Sequence, residues 1–243
     1  MSFGQPRTSH MSRSELPDPA SESSRLARLR ARVIERSRQE PALTRAQVSL
    51  QNRIVMSVAL LIPLLIFGAL GGARFAPRPD RLVLQTAVAS GMLAVMAAVV
   101  GVSRGRSMLG RPRSWLLPLV FLTPVALFAS RVLASAQYPN MLAEWHGRPG
   151  LRCFGLSCVL ALGPLLGVLW VRRGSEPVHP RLTAAGIATA AGAGAWVLVD
   201  LWCPVGFVPH LLLGHVLPLV LLVALSAALS SRFLTQRVLR DTR

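Results

Sequence analysis

Six apolar runs of about twenty residues each dominate the chain and limit what it can fold into. A helix of that length, with a rise of about 1.5 Å per residue, crosses about 30 Å of hydrocarbon. The connections are short and contain Pro or Gly, so neighbouring helices must pack antiparallel. The sequence therefore predicts an all-α polytopic membrane protein, a bundle of six transmembrane helices. The runs are 54–73, 82–103, 115–132, 151–171, 182–202 and 209–230.

The distribution of arginine predicts how the bundle is oriented. All 27 basic residues are arginine, and the net charge is +17. Of these, 21 lie in the two tails and in the connections after the second and fourth runs, against five on the opposite side. By the positive-inside rule both termini are cytoplasmic. Because the arginines fall between apolar runs and form no patch with interleaved aromatics, we expect no direct contact with nucleic acid.

The sequence divides into four parts by composition. The first is rich in Ser, Pro and Arg and almost without apolar side chains, which predicts a disordered basic cytoplasmic tail. The second is an amphipathic helix followed by a linker. The third is the transmembrane domain, and the fourth is a cytoplasmic C-terminal tail. These parts span residues 1–23, 24–53, 54–232 and 233–243.

The amphipathic segment carries an apolar stripe among arginines. Its members recur at helical spacing, and Pro41 follows the pattern as a stop signal. An arginine-rich helix of this kind either lies on the inner membrane surface or docks in a groove on a partner protein, and the spacing favours neither. The stripe consists of Leu26, Leu29, Val33 and Ile34.

The last third of the chain holds most of its reactive side chains. With both tails cytoplasmic, Cys153 opens the fourth run and Cys203 lies in the connection after the fifth, so both thiols face outward. His210 and His215 follow at the start of the sixth run, and Asp200 ends the fifth. Polar groups in or beside a bilayer are costly and call for a partner or a function.

The residues leave three alternative interpretations of these side chains open. The two cysteines and two histidines bind a metal ion, or the cysteines form a redox-active or disulfide-forming pair, or all four are packing and hydrogen-bonding residues. The metal interpretation meets an obstacle, because positions five apart on a straight helix lie about 140° apart. It requires a distorted first turn after Pro209. Asp200 either lies at the interface or hydrogen-bonds His210 or His215 and sets the tautomer.

The sequence contains no nucleophile elbow, phosphate loop, HExxH or CxxC motif, and we expect no enzyme and no resident cofactor. A transient metal ion at Cys153, Cys203, His210 and His215 is the exception kept open. Two alternative functions remain: a membrane thiol oxidoreductase using the two outer cysteines, and a metal or small-solute transporter. The transporter would require polar residues at mid-membrane in several spans, and the first three runs offer almost none.

Several short segments in the last third resemble one known family. They are Leu151-Arg-Cys153, Arg172-Arg173 followed by Val178-His-Pro180, an Ala/Gly-rich fifth run, Leu201-Trp-Cys203-Pro204, and His210 with Gly214-His215. This pattern, best over residues 150–232, is similar to the NrsF family of six-span inner-membrane anti-sigma factors. Cys153 and Cys203 are fifty positions apart, similar to that family's outward-facing cysteine pair.

The resemblance implies a function. A protein of this kind lies in the bacterial inner membrane and sequesters an extracytoplasmic-function sigma factor through its cytoplasmic N-terminal tail. Cys153 and Cys203 are then the thiols that sense a periplasmic oxidant or metal, and residues 20–50 hold the sigma factor. The partners implied are that sigma factor and the lipid bilayer.

Overall fold

A computed structural model describes the transmembrane part of the chain almost completely and the N-terminal part at scattered positions. Six helices are long and apolar enough to cross a bilayer. The chain divides into two units, residues 1–49 and 50–243. The described residues are 24, 27–28, 30–32, 34–35, 45–73, 78–102, 112–138, 150–173 and 179–234.

All regular structure in the described residues is helical, and the prediction of an all-α bundle of six membrane-spanning helices is confirmed. The sixth span begins as a short α-helix, passes through a π-helical turn and continues as a longer α-helix. The first helix extends well before residue 54, into the segment expected to be a linker. The elements are α1 (Arg45–Ala69), α2 (Asp80–Val102), α3 (Arg113–Ala136), α4 (Leu151–Val171), α5 (Pro180–Trp202), α6 (Val208–Leu211), a π-helical turn (Leu212–Val216) and α7 (Leu217–Phe233).

Helix α5 is the centre of the bundle. In its most apolar stretch 72% of the residues are buried, against 11–39% in the other five spans. It packs against α2, α3, α4 and α7. Small side chains permit this, because they let helix backbones approach closely in a bilayer where apolar burial alone gives no advantage over lipid. A Cβ on Gly101 of α2, for example, would lie 2.5 Å from the carbonyl oxygen of Gly186 in α5.

Helix α1 meets the bundle through a second contact between small residues. Gly163 and Gly167 of α4 lie four positions apart, on the same face of the helix. A Cβ on Gly163 would lie 3.1 Å from the carbonyl oxygen of Ala59, and one on Gly167 would lie 2.5 Å from the Cβ of Ala59. Both glycines are therefore required for α1 to rest on α4 at this point.

The described N-terminal residues are helical and exposed. They are Ser24, Ala27, Arg28, Arg30–Arg32, Ile34 and Glu35. Ile34, a member of the predicted apolar stripe, is 44% exposed. The other three members, Leu26, Leu29 and Val33, lie outside the described residues.

Candidate functional site

Two thiols and two imidazoles lie together at one end of the bundle. Cys153 comes from the first turn of α4, Cys203 from the connection after α5, His210 from α6 and His215 from the π-helical turn. All four are buried, and one candidate donor atom of each lies within 4.8 Å of those of the other three. We call these residues the Cys-His cluster. Side chains up to 62 positions apart in sequence thus meet at one point.

Within the Cys-His cluster the closest contact joins the connection to the sixth span. The Sγ of Cys203 and the Nε2 of His210 are hydrogen-bonded at 3.2 Å. The ring centroids of His210 and His215 are 5.9 Å apart, and His215 makes a T-shaped contact with Trp196 of α5 at 5.2 Å. These ring contacts fix the orientation of His215.

The π-helical turn Leu212–Val216 removes the obstacle that a straight helix presents to this arrangement. On an α-helix His210 and His215 would point about 140° apart. A π-helical turn closes its hydrogen bonds over one extra residue, so residues five apart come onto the same side, and such turns are frequent at functional sites. The distortion that the sequence alone required after Pro209 is therefore present, a few residues further along the chain.

A pair of glycines brings α4 and the π-helical turn together. Gly150, just before α4, has a φ of 79°, which favours glycine. A Cβ on Gly214 would lie 3.0 Å from the Cβ of Cys153 and 3.1 Å from the carbonyl oxygen of Gly150. The Ser157 hydroxyl of α4 donates a hydrogen bond to the carbonyl oxygen of Gly214 at 3.2 Å. The close approach of the two backbones places Cys153 beside the histidines.

The surroundings of Cys203 favour its thiolate form. Cys203 lies just beyond the end of α5. The close approach of Cys153, and after it of the imidazoles of His210 and His215, lowers the pKa of the Cys203 thiol far below its usual value, although burial opposes this. The thiolate is the form of cysteine that binds metal ions and attacks electrophiles.

Comparison with known proteins decides the family. A family model described as "NrsF: Negative regulator of sigma F" matches residues 37–235, which is most of the chain and includes the whole Cys-His cluster. The chain belongs to the NrsF family. The resemblance carried by the short segments of the last third is confirmed, and the match extends it to the first three spans. No curated protein and no solved structure matches the chain.

Membership of the NrsF family gives the general function: the protein is a multi-pass membrane protein and a negative regulator of a sigma factor, and a sigma factor is its partner.

The NrsF bundle contains a buried ion pair, one member of which, Asp200, lies three positions before Cys203. The Nε of Arg131 in α3 lies 2.8 Å from the Oδ1 of Asp200 in α5, and both side chains are 2% exposed. Arg131 also donates a hydrogen bond to the hydroxyl of Ser135 at 3.2 Å. Neither ring nitrogen of His215 has a hydrogen-bond partner among the described residues. Of the two alternatives for Asp200, a hydrogen bond to His215 is not found among the described residues, because the carboxylate faces the guanidinium.

A second arginine binds the end of α5 in the NrsF bundle. Arg78 donates hydrogen bonds to the carbonyl oxygens of Asp200 and Leu201, at 2.7 and 2.6 Å. Helix C-termini carry unpaired carbonyls and partial negative charge, which a guanidinium neutralises. Burial lowers the pKa of Arg78, whereas the nearby charges of Asp200 and Cys203 raise it. Arg78 thus interacts electrostatically with both the ion pair and the Cys-His cluster.

Sequence reasoning missed both arginines as parts of the site. Arg131 and Asp200 each lie inside an apolar run. Because charged side chains within a membrane usually pair with one another, the sequence could have predicted this ion pair. The role of Arg78 could not be predicted in this way, because Arg78 lies in a connection between spans, where arginines usually reflect the orientation of the protein in the membrane. The third cysteine, Cys158, lies in α4 outside the cluster and is half-buried.

Proposed function

We propose that this NrsF-family protein holds an extracytoplasmic-function sigma factor at the bacterial inner membrane through its cytoplasmic N-terminal segment. It releases the sigma factor when an oxidant or a thiophilic metal reaches Cys153 and Cys203 from the periplasm. The proposal that the protein senses such a signal rests on one observation. Two buried thiols and two imidazoles converge where the fourth, fifth and sixth spans meet. A change there acts on three spans at once.

The proposed orientation places the Cys-His cluster at the outer face and both termini in the cytoplasm. The arginine asymmetry supports it. Arg78 lies on the proposed outer side, where the positive-inside rule expects few arginines. Its hydrogen bonds to helix carbonyls give it a structural role, so it does not count against the asymmetry.

Cysteine labelling tests this orientation. Gln137 follows α3 at the proposed outer end, and Ser114 lies in the first turn of α3 at the other end; both are exposed. We expect Gln137→Cys to react with a membrane-impermeant maleimide in intact spheroplasts, and Ser114→Cys to react only after lysis. The unmodified chain, whose Cys153 and Cys203 are buried, is the background control. The reverse pattern would place the Cys-His cluster in the cytoplasm and remove the periplasmic signal from the proposal.

The proposed sigma-factor contact is the apolar stripe Leu26, Leu29, Val33 and Ile34 within residues 24–53. Ile34 is exposed on a helical segment, as a docking residue must be. An amphipathic helix that lays such a stripe in a hydrophobic groove is a common mode of protein recognition. Between the two alternatives for this segment, a partner protein gains support from the family, whose members regulate a sigma factor.

A single charge in the stripe tests this contact. Burying a large apolar side chain contributes about 1.5–3 kcal/mol, so Leu29→Asp should weaken sigma-factor binding by at least about tenfold. The matched control is Ala31→Asp, which adds the same charge on the other side of the helix. Binding is measured by pull-down of the sigma factors of the source organism with the full-length protein in detergent. Equal loss in both variants, or in neither, would remove the stripe from the interface.

The proposed signal acts through the thiols. An oxidant takes two electrons from the Sγ atoms of Cys153 and Cys203, any remaining thiol proton is released, and a disulfide forms, provided that the Cα atoms come within about 7 Å. A thiophilic metal binds the two thiolates instead. Either event changes how Cys153 and Cys203 hold the start of the fourth span against the connection before the sixth, and this change biases the packing of the spans.

The alternative of a thiol oxidoreductase has one observation in its favour, the lowered pKa of Cys203, which is typical of reactive cysteines. Exposure weighs against it. Cys153 and Cys203 are only 3% and 2% exposed, so a protein thiol cannot reach them, whereas a small oxidant or ion can. Burial of this kind fits a sensor better than a catalyst of disulfide exchange.

A further inference from the structure

The Cys-His cluster contains a buried polar group, the imidazole of His215. His215 is 2% exposed, and neither Nδ1 nor Nε2 has a hydrogen-bond partner among the described residues. Buried polar groups are nearly always hydrogen-bonded or bound to a metal ion, because burial without a partner is unfavourable. His215 faces the other three residues with a donor atom within 4.8 Å of each of theirs. A ligand at the centre of the cluster would bind that atom.

We propose that Cys153, Cys203, His210 and His215 bind one zinc ion as a resident tetrahedral site that joins the outer ends of the fourth and sixth spans. Two cysteines and two histidines are a ligand set typical of structural zinc. The ion binding stands on the geometry alone. Its use in releasing the sigma factor rests on the proposed function.

The distances suit a tetrahedral ion. With Zn–S bonds of about 2.3 Å and Zn–N bonds of about 2.0–2.1 Å, neighbouring ligand atoms lie about 3.3–3.8 Å apart. The Sγ of Cys203 and the Nε2 of His210 are 3.2 Å apart, and no pair of donors exceeds 4.8 Å. Shifts of about an ångström in the donor atoms would bring the widest separation, 4.8 Å, into the tetrahedral range.

The charge also suits a divalent ion. Two thiolates and two neutral imidazoles carry a total charge of −2, which Zn²⁺ or Cd²⁺ cancels and Cu⁺ does not. A neutral centre matters here because all four side chains are buried at the edge of a membrane domain, where uncompensated charge is costly. A disulfide between Cys153 and Cys203 would also remove charge, but it would leave His215 without a partner.

The backbone around the Cys-His cluster is built for close ligand approach. The π-helical turn brings His215 to the side of His210, and the contact between Gly150 and Gly214 brings Cys153 to both. Neither feature is needed for crossing a bilayer, since a regular α-helix satisfies its backbone there. Both are explained if the four side chains must meet around one ion.

Metal analysis of the purified protein tests the proposal. The full-length chain is purified in detergent under anaerobic, reducing conditions and its zinc measured by mass spectrometry. We expect about one zinc per chain, falling at least tenfold in Cys203→Ser and His215→Ala and remaining unchanged in the control Cys158→Ser. Replacement of zinc by Co²⁺ should give the intense visible bands of tetrahedral cobalt and a near-ultraviolet thiolate charge-transfer band.

A variant that keeps all four ligands gives an independent check. In Gly214→Ala the new methyl group would press on the Cβ of Cys153, and we expect zinc affinity in a chelator competition to fall at least tenfold. Gly155→Ala on the same helix as Cys153 meets nothing within 4 Å and should bind zinc normally.

The outcomes separate this inference from the proposed function. Unmodified protein that contains no zinc and gives no tetrahedral Co²⁺ spectrum would overturn the zinc site, whether or not it retains a sigma factor. Octahedral Co²⁺ bands, or zinc retained in both ligand variants, would overturn it equally. A full zinc site in a protein that binds no sigma factor would support the inference and contradict the proposed function.

Discussion

Replacing Asp200 with alanine should destabilise the bundle by about 3–5 kcal/mol, because it leaves Arg131 buried without its carboxylate. Both side chains are 2% exposed, and of its two contacts among the described residues Arg131 would keep the hydrogen bond to Ser135. Arg131→Ala should cost less than Asp200→Ala, since Arg78 lies close enough to Asp200 to compensate part of its charge. Unfolding in mixed micelles with increasing denaturing detergent measures both.

Two further variants serve as controls for this expected loss of stability. Arg81→Ala removes an exposed arginine near the same end of the bundle and should change stability by less than about 0.5 kcal/mol. The double variant Arg131→Met with Asp200→Leu replaces the ion pair by apolar side chains, which is often neutral or stabilising. If Asp200→Ala is as stable as Arg81→Ala, the ion pair contributes nothing and the close contact is incidental.

Replacing Cys153 or Cys203 should abolish the response of the sigma factor to oxidants and thiophilic metals. We expect Cys153→Ser and Cys203→Ser to fix a sigma-factor-dependent reporter at a low or a high level, and Cys158→Ser to respond normally. Shifting a two-state equilibrium from 1:99 to 99:1 requires about 5.5 kcal/mol. A disulfide supplies about 2–4 kcal/mol, and a thiolate-bound metal ion supplies more.

The reporter separates sensing from structure. If Cys153→Ser and Cys203→Ser both respond like the unmodified protein, the thiols are structural. If both variants keep a partial response of similar size, the remaining thiol and the two histidines bind the oxidant or metal well enough for sensing. Immunoblots of the membrane fraction, with Cys158→Ser as reference, check that each variant accumulates normally. A reporter that no longer responds then shows a loss of sensing and not a loss of the protein.

The architecture was predictable because it depends on length and side-chain size. Six apolar runs long enough for a bilayer determine the number of spans, and the small residues of the fifth run identify the helix that others can approach closely. The contact between Gly186 and Gly101 follows from that property. The four members of the Cys-His cluster were also named from sequence, because thiols and imidazoles stand out in apolar surroundings.

The geometry of the site was not predictable from local sequence. Nothing between His210 and His215 specifies a π-helical turn, and an ideal α-helix separates them by about 140°. The turn arises where the sixth span meets Gly150 at the start of α4, a contact between residues more than sixty positions apart. The pairing of Asp200 with Arg131 is of the same kind, since it depends on which spans are neighbours in the bundle.

The central claim is that modification of the Cys-His cluster releases the sigma factor. It is tested by purifying the full-length protein from cells, with and without brief exposure to a thiol oxidant or Cd²⁺, and measuring the sigma factor that copurifies. Mass spectrometry of the same samples reports the state of Cys153 and Cys203. We predict one sigma factor per chain in untreated samples and a loss of at least tenfold when the thiols are modified. Undiminished copurification with fully modified thiols would contradict the account.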